Sequence, residues 1–141
     1  RNRKLVLGGY IIPNEIGLEA NSDGDLILHA LFNAISSAIG GKSLGHYADS
    51  MFEKGIKDSK EYLKVILKKL NEENLKINNL SVSIEAKKPR LDSCTDKIIA
   101  SLSKILNLEK NKIGITCTSG ESLTSFGRGE GIQCFVVVSL R

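Results

Sequence analysis

The sequence predicts an α+β fold, a two-layer sandwich in which helices cover one face of a mixed four-stranded sheet and an N-terminal hairpin stands beside it. Three segments carry apolar residues at three- and four-residue steps, which is the helical period, and others alternate apolar with polar residues, which is the strand period. In chain order these segments give ββααβαββ. With 141 residues and 41% hydrophobic content, the chain is expected to form a single domain over 1–141 with one core.

The elements on either side of the first helix follow from turns, caps and spacing. A hairpin closes at Gly8-Gly9, and its second strand is predicted to end at Pro13-Asn14. Residues 47–57 have no period and are predicted to form an irregular loop, after which a second helix runs from a capping box at Asp58 to about Asn74. The last strand is apolar on both faces and is predicted to lie inside the sheet. The third helix carries an apolar stripe of Ile98, Leu102, Ile105 and Leu106. The last three strands are predicted over residues 80–86, 113–117 and 132–140.

Residues 21–29 concentrate two carboxylates, a hydroxyl and an imidazole at the start of the first helix, which is predicted to extend to about Ile39. Ser22 and Asp25 match a serine-x-x-acid capping box, so the helix is expected to begin at Ser22 with N–H groups that attract anions. Asp25 and His29 then share one face of the helix. This arrangement suits a metal ion beside a phosphate; the alternative is that Asp25 only orients a partly exposed histidine.

Polar residues also collect at three later places beside strand ends: residues 86–92, 118–121 and 127–131. If these segments converge with the start of the first helix, they form one pocket. The hydroxyls of Thr118 and Ser119 and the carboxylate of Glu121 can hold phosphate oxygens and a hard cation together. The segment 127–131 precedes a strand, so it matches neither phosphate-loop fingerprint, but its Arg128 can reach an anion. Each segment alone is also compatible with an ordinary turn.

Composition argues against several classes of function. The net charge of +4 and a pI near 9.0 favour anionic partners, but the basic residues are spread along the chain, and 5% aromatic content without tryptophan argues against a nucleic-acid binder. Three cysteines without a Cys-x-x-Cys pair indicate a reducing compartment, with neither a disulfide framework nor a thiolate zinc site. No apolar run approaches the ~20 residues of a membrane span, and the first residues are not expected to be a signal sequence.

Four motifs together, N-S-D-G-D-x-x-x-H, A-x-x-P-x-L, T-S-x-E and the terminal G-R-G-E-G-I, resemble the 2-C-methyl-D-erythritol 2,4-cyclodiphosphate synthase family. The match covers nearly the whole length, and the pairing of the first and last motifs is its most specific part. The resemblance implies a homotrimer with active sites between neighbouring subunits, acting as a phosphorus–oxygen lyase in non-mevalonate isoprenoid biosynthesis. In this reaction the 2-phosphate of 4-diphosphocytidyl-2-C-methyl-D-erythritol 2-phosphate attacks the β-phosphorus and expels CMP, which leaves 2-C-methyl-D-erythritol 2,4-cyclodiphosphate.

The resemblance also implies roles for individual residues. His29 binds Zn²⁺, Glu121 holds Mg²⁺ or Mn²⁺, and Asn21 and Ser119 are the catalytic candidates beside the transferring phosphate. Residues 86–92 wrap the cytosine of a cytidine diphosphate substrate, and the remaining contacts serve its sugars and phosphates, with Glu130 as the partner of Arg128. The implied substrate-binding residues are Asn21, Ser22, Ser43, Leu44, Gly45, Ala86, Lys87, Lys88, Pro89, Arg90, Leu91, Asp92, Thr118, Ser119, Gly120, Glu121 and Arg128.

The chain departs from the family pattern at several places. A glycine-x-aspartate-x-histidine segment with further zinc ligands is missing before Arg1, and a phenylalanine-proline-aspartate stretch is missing where Tyr47 runs into Ala48. Asn21 replaces a usual histidine and Ser43 a usual aspartate. The expectation is that flexible segments have been trimmed from an active enzyme of the bacterial cytoplasm or a plastid. The alternative is a catalytically inactive trimeric nucleotide-binding or scaffold homologue.

Overall fold

The computed structural model describes residues 4–16 and 24–141, and within these ranges the element order is ββαααβαββ. Three short 3-10 turns, at 92–94, 110–112 and 120–122, connect the later elements. None of the described helices is long and apolar enough to cross a membrane. The strands and helices are β1 (Lys4–Leu7), β2 (Tyr10–Ile16), α1 (Leu26–Ala38), α2 (Leu44–Glu53), α3 (Ser59–Glu72), β3 (Ile77–Glu85), α4 (Thr95–Leu106), β4 (Ile113–Thr118) and β5 (Gln133–Leu140).

The described strands form two small sheets. Strand β3 is central in a mixed three-stranded sheet, with β4 parallel on one side and β5 antiparallel on the other, and β1 pairs with β2 in a separate hairpin. The α+β class and the mixed sheet are confirmed, whereas the prediction of four strands is wrong for the described residues. The prediction that β5 lies inside the sheet is also wrong, because its one hydrogen-bonded neighbour among the described strands is β3.

One face of the three-stranded sheet is buried and the other is open. Leu80, Val82 and Ile84 of β3 are at most 2% exposed and join a core with apolar residues of α1, α3 and α4. Each such side chain contributes about 1.5–3 kcal/mol through removal from water. On the opposite face, Phe135 and Val137 of β5 are 64% and 68% exposed. The apolar pattern on both faces of β5 therefore reflects an exposed apolar surface and not a central position.

The segment predicted as an irregular loop contains a helix. Ser43, which has an extended backbone conformation, is the N-cap of α2, and the Leu44 N–H donates to Asn33 Oδ1 at 2.9 Å. The Tyr47 ring packs on Phe32 of α1 with centroids 5.4 Å apart, although α2 has no fully buried residue. Leu44, Tyr47 and Met51 recur at three- and four-residue steps, so the helical period is present in the sequence and the prediction of a loop overlooked it. The helix continues without a break through Tyr47 and Ala48, where the family's phenylalanine-proline-aspartate stretch is missing.

The interiors of the predicted helices are confirmed, but the predicted start of the first helix is wrong. The first helix ends as predicted, with Ile39 as its C-cap, but Asp25 and not Ser22 is its N-cap; Ser22 lies outside the described residues. The second predicted helix begins after Asp58, whose carboxylate accepts the Lys60 N–H at 2.9 Å as an N-cap, whereas the Glu61 carboxylate of the predicted capping box pairs with Lys64. In the hairpin, β2 continues beyond Pro13 to Ile16, because an edge strand tolerates a proline without an N–H group.

Candidate active site

The segments after β3 and β4 meet in one cavity. Because these strands are parallel, their carboxyl ends lie at the same edge of the sheet, and the Ala86 N–H donates to the Thr118 carbonyl at 2.9 Å. The cavity has a volume of about 250 Å³. The structure thus brings together two of the segments that the sequence predicted to converge. The lining residues are Ala86, Lys87, Arg90, Leu91, Asp92, Cys117, Thr118 and Ser119.

The glycine-rich segment 127–131 lies beside this cavity. The Lys87 N–H donates to the Phe126 carbonyl at 3.2 Å, and a Cβ on Gly129 would lie 3.3 Å from Lys88 Cε. Arg128 pairs with Glu130 at 3.1 Å, as predicted. Both side chains of this pair are about half exposed, so the pair contributes at most about 1 kcal/mol to stability. The segment adds a cationic side chain to the same side of the molecule as the cavity.

The turn after β4 is held in a conformation that non-glycine residues rarely adopt. Glu121 has φ 48° and ψ 35°, Ser122 has φ 63°, and Gly120 before them has φ 72°. Each of the two non-glycine residues costs about 1–3 kcal/mol in this left-handed region. The Thr118 and Ser119 hydroxyls accept the N–H groups of the next turn, both at 3.3 Å. The strained turn exposes the Glu121 carboxylate beside two hydroxyl groups.

Two of the three charged residues that line the cavity, Lys87 and Arg90, are positive, which favours an anionic ligand. Lys87 and Arg90 are exposed, and Arg90 lies 3.6 Å from the Asp92 carboxylate. Burial raises the pKa of the Cys117 thiol, and the nearby Asp92 charge raises it further. Both effects disfavour the thiolate, which is the nucleophilic form of the thiol in the cavity wall. The cavity suits binding and charge neutralisation better than covalent catalysis.

Sequence reasoning missed the residue beneath this turn. Glu85, the last residue of β3, accepts the Thr124 hydroxyl at 2.5 Å and the Gln133 side-chain amide at 3.3 Å. The alternating pattern of β3 marked Glu85 only as a polar strand residue. Its partners lie 39 and 48 residues further along the chain, so no local spacing could reveal them.

Asp25 has a structural role at the start of α1. Its carboxylate accepts the N–H groups of Gly8 at 2.9 Å, Gly9 at 2.8 Å and Leu28 at 3.0 Å, and the residue is fully buried. The prediction that Asp25 and His29 act together on a ligand is not what these contacts show. Asp25 fixes the helix to the glycine turn of the hairpin and is not among the residues that line the cavity.

His29 lies at a second place in the molecule. Its Nε2 is 2.8 Å from the hydroxyl of Ser59, which is the buried first residue of α3. Next to Ser59 is another cavity of about 320 Å³ that shares no lining residue with the first. Within residues 4–16 and 24–141 no group of three His, Cys, Asp or Glu side chains could hold a metal ion. Because a catalytic zinc normally has three protein ligands, the described residues do not complete such a site.

The remaining predicted residues fall in three places. Asn21 and Ser22 lie outside the described residues. Ser43, Leu44 and Gly45 form the start of α2, next to Asn33 of α1 and away from the residues that line the first cavity. Lys88 and Pro89 belong to the loop after β3 and are joined by a cis peptide bond, but they do not line the cavity.

Comparison with known proteins gives consistent matches. The YgbB family pattern covers residues 1–141. The 2-C-methyl-D-erythritol 2,4-cyclodiphosphate synthase of Chlamydia muridarum is 43% identical over 98% of this chain and 78% of its own length. The bifunctional IspDF of Campylobacter jejuni superposes with a TM-score of 0.90 at 31% identity, over 99% of this chain and 38% of that one. The IspF of Plasmodium falciparum in its CDP complex has a TM-score of 0.82 at 28% identity, over 99% of this chain and 84% of that one.

These matches extend over the segments that build the cavity, and the fold agrees with the solved structures. The Chlamydia relative carries the same name as the family that the four motifs resemble. The chain therefore belongs to the YgbB family, the family of the 2-C-methyl-D-erythritol 2,4-cyclodiphosphate synthases, and is an enzyme, a phosphorus–oxygen lyase.

Proposed function

We propose that the chain converts 4-diphosphocytidyl-2-C-methyl-D-erythritol 2-phosphate to 2-C-methyl-D-erythritol 2,4-cyclodiphosphate and CMP, in non-mevalonate isoprenoid biosynthesis. The observation that carries this proposal is the cavity in which the loop after β3 meets the hydroxyl-rich turn after β4. The CDP complex of the Plasmodium falciparum relative supports a cytidine nucleotide as the ligand. The bacterial source of the curated relatives supports the bacterial cytoplasm, with a plastid as the other expected location.

The loop 86–92 is suited to bind the cytosine. Its Leu91 is 3% exposed and anchors the loop to the core, while the Ala86 and Lys87 N–H groups are fixed on the neighbouring segments. A rigid loop with polar backbone groups discriminates between bases, because a wrong base leaves those groups unpaired. Lys87 and Arg90 add positive charge at the rim for the phosphates.

The turn 118–121 is suited to bind the diphosphate. The oxygens of Thr118 and Ser119 already accept N–H groups of the turn, so their O–H groups remain able to donate to phosphate oxygens. Glu121 would hold the Mg²⁺ or Mn²⁺, since this type of ion is usually held by one or two carboxylates together with substrate phosphates. Such an ion would supply charge neutralisation at the diphosphate that Thr118 and Ser119 hold. The protein's own contribution is then to position the reacting phosphates, which is the main requirement in phosphoryl transfer.

His29 would supply one ligand to Zn²⁺, and the other ligands would come from outside the described residues. The donor chemistry fits, because a half-buried imidazole is a common zinc ligand. The Ser59 hydroxyl lies 2.8 Å from Nε2 and orients the ring. Asn21 and Ser119 are proposed to act beside the transferring phosphate.

A homotrimer would bring the two places together. In a single chain the cavity near Ser59 and the cavity at Thr118 share no residue. The open sheet face presents Phe135 and Val137, which soluble chains usually cover with a partner. Burial of this face between identical subunits would also explain why β5 is apolar on both sides. The retained turn 118–121 favours an active enzyme over the inactive nucleotide-binding homologue.

The reaction can be tested directly by ³¹P NMR of the purified protein with the proposed substrate, zinc and Mg²⁺. We expect a cyclic diphosphate and CMP in equal amounts. The variant Glu121→Gln should lose most of this turnover, while Glu72→Gln, which removes a charge from an exposed helix position, should retain it. Absence of product from the folded, metal-loaded protein would favour the inactive homologue.

Nucleotide selectivity tests the binding half of the proposal without catalysis. Calorimetry should show tighter binding of CDP than of UDP or ADP, by roughly tenfold or more, because the 86–92 loop offers fixed groups to one base edge. Equal affinities for the three nucleotides would contradict the assignment of this loop to cytosine.

A further inference from the structure

We propose that Glu85, Thr124 and Gln133 form a clamp that positions the Glu121 turn, and that Glu85 is thereby a positioning residue of the reaction. The inference rests on the proposed function, because it gives the turn its role in holding a divalent cation. We call these three residues the Glu85 clamp. None of them was singled out by the motifs in the sequence.

The contacts of Glu85 reach the middle of the segment between β4 and β5 and the residue that follows it. Glu85 stands opposite Thr118 on β4 and opposite Gln133 on β5, so it occupies the point where β3 and β4 end and β5 begins. Its Oε2 accepts the Thr124 hydroxyl at 2.5 Å, and its Oε1 accepts the Gln133 amide at 3.3 Å. One carboxylate therefore ties the middle of the segment to the sheet and to the start of the next strand.

The clamp continues from Thr124 into the glycine-rich part. The Thr124 hydroxyl oxygen accepts the Gly127 N–H at 2.9 Å, while its proton is donated to Glu85. Gly127 is buried against Gly120, where a Cβ would lie 2.8 Å from the Gly120 carbonyl oxygen. A Cβ on Gly120 would in turn overlap the Glu85 carboxylate. Glu85 is thus in direct packing contact with the first residue of the strained turn.

Such a turn needs external restraint. Glu121 and Ser122 adopt left-handed backbone conformations that relax unless the surroundings fix them. Both residues are exposed, so burial of their side chains cannot supply that restraint. The Glu85 clamp lies below the turn and holds Gly120 and Gly127 together. Its loss should let the turn relax and displace the Glu121 carboxylate.

The first test compares two substitutions of Thr124, an exposed position where neither change should prevent folding. Thr124→Val removes the hydroxyl at nearly constant shape, and Thr124→Ser keeps it. Hydrogen exchange should be faster for amides 120–127 in Thr124→Val, by roughly tenfold, as expected for a lost hydrogen bond to a charged group. Thr124→Ser should exchange as the parent does, and β3 amides should be unaffected in both. Unchanged exchange in Thr124→Val would overturn the clamp.

The second test measures the consequence for the cation by Mn²⁺ titration in the presence of saturating CDP. Thr124→Val and Glu85→Gln should weaken Mn²⁺ binding by roughly tenfold, with CDP affinity in the absence of metal unchanged. Thr124→Ser, which keeps the hydroxyl, should bind Mn²⁺ as tightly as the parent. Glu72→Gln removes the same charge as Glu85→Gln at a distant exposed site and should bind Mn²⁺ normally. An equal loss in Glu72→Gln would assign the effect to net charge and overturn the clamp.

Glu121→Gln separates this inference from the proposed function. If Mn²⁺ binding is lost in Glu121→Gln but kept in Thr124→Val, the metal assignment stands and the clamp is wrong. If Glu121→Gln binds Mn²⁺ as tightly as the parent, the metal assignment of the proposed function is wrong, and the exchange rates of amides 120–127 then decide the clamp alone.

Discussion

Asp25 and His29 lie one turn apart at the start of α1, yet the structure gives them different surroundings. Asp25 is fully buried and accepts three backbone N–H groups, two of them from the Gly8-Gly9 turn. His29 is half buried and meets the hydroxyl of Ser59 on another helix. The first contacts join α1 to the hairpin, whereas the second join α1 to the start of α3. Two polar residues on one helix face can therefore belong to different parts of the molecule.

Spacing along a helix shows which residues share a face, but it does not show which neighbouring segment contacts each of them. The helical period places Asp25 and His29 on one face, and this remains correct. The glycine turn, however, donates its N–H groups to Asp25, and its other side packs on α4: a Cβ on Gly9 would lie 2.6 Å from Ile105 Cδ1 and 2.9 Å from Ser101 Oγ. The pair Gly8-Gly9 thus serves both as a hairpin turn and as a contact between α1 and α4.

The largest effect is expected from Asp25→Ala, which should destabilise the protein by at least about 3 kcal/mol. The substitution leaves three N–H groups without the carboxylate that accepts them, and each such hydrogen bond to a charged group is worth about 1.5–3 kcal/mol. Urea denaturation followed by circular dichroism measures the change. Asp25→Asn keeps one acceptor oxygen and should lose less. A loss below about 1 kcal/mol for Asp25→Ala would show that these contacts are not what fixes α1.

A separate outcome is expected for His29→Ala: the protein should stay folded but lose bound zinc and turnover. His29 contacts Ser59 by a side chain and is not part of the core, so its removal should cost little stability. Elemental analysis of the purified protein measures the zinc. His46→Ala is the matched control, because His46 is exposed on α2 and packs edge-on against Tyr47. Unchanged zinc content in His29→Ala would remove His29 from the proposed metal site.

The same contrast shows how far the sequence predicts this molecule. Buried helix positions such as Ile98 and Leu102, both 0% exposed, follow from the helical period, and the cap at Asp58 follows from its local pattern. The convergence of the 86–92 and 118–121 segments follows from the rule that parallel strands end at one edge. These features depend on residues close in sequence or on one general rule of topology.

Features that depend on distant partners could not be predicted. The role of Glu85 requires Gln133, which the β3–β5 pairing brings near, and Thr124, which the turn after β4 brings near. Helix α2 is a different case, because its apolar residues Leu44, Tyr47 and Met51 recur at helical steps and could have predicted it. The cap at Asp25 was misplaced because the Gly8 and Gly9 N–H groups that fix it come from the hairpin.

The exposed face of the three-stranded sheet can be tested for subunit association separately from the buried face. Val137→Asp places a charge on the open face and should convert a trimer to monomers, while the buried face and the fold remain intact. Size-exclusion chromatography with light scattering measures the mass. Ile11→Asp is the control, because Ile11 is 51% exposed on β2, outside the three-stranded sheet. Trimers in Val137→Asp, or monomers in the parent, would contradict the proposal that this face joins subunits.

The stability of the protein in the alkaline range should depend on Cys134, whose thiol is influenced by the Asp25 charge. Burial raises the pKa of the Cys134 thiol to about 12, and the Asp25 charge contributes to the same direction. Since the folded-state pKa lies above that of an unfolded thiol, about 8.5, the unfolded chain releases its proton first, and stability should fall as pH rises from about 9 towards 12. In Cys134→Ala this decline should be shallower than in the parent, because one group that favours the protonated folded state is gone. Denaturation at about pH 8 and about pH 10 gives the two slopes, and identical slopes would show that Cys134 does not titrate differently in the folded and unfolded chain.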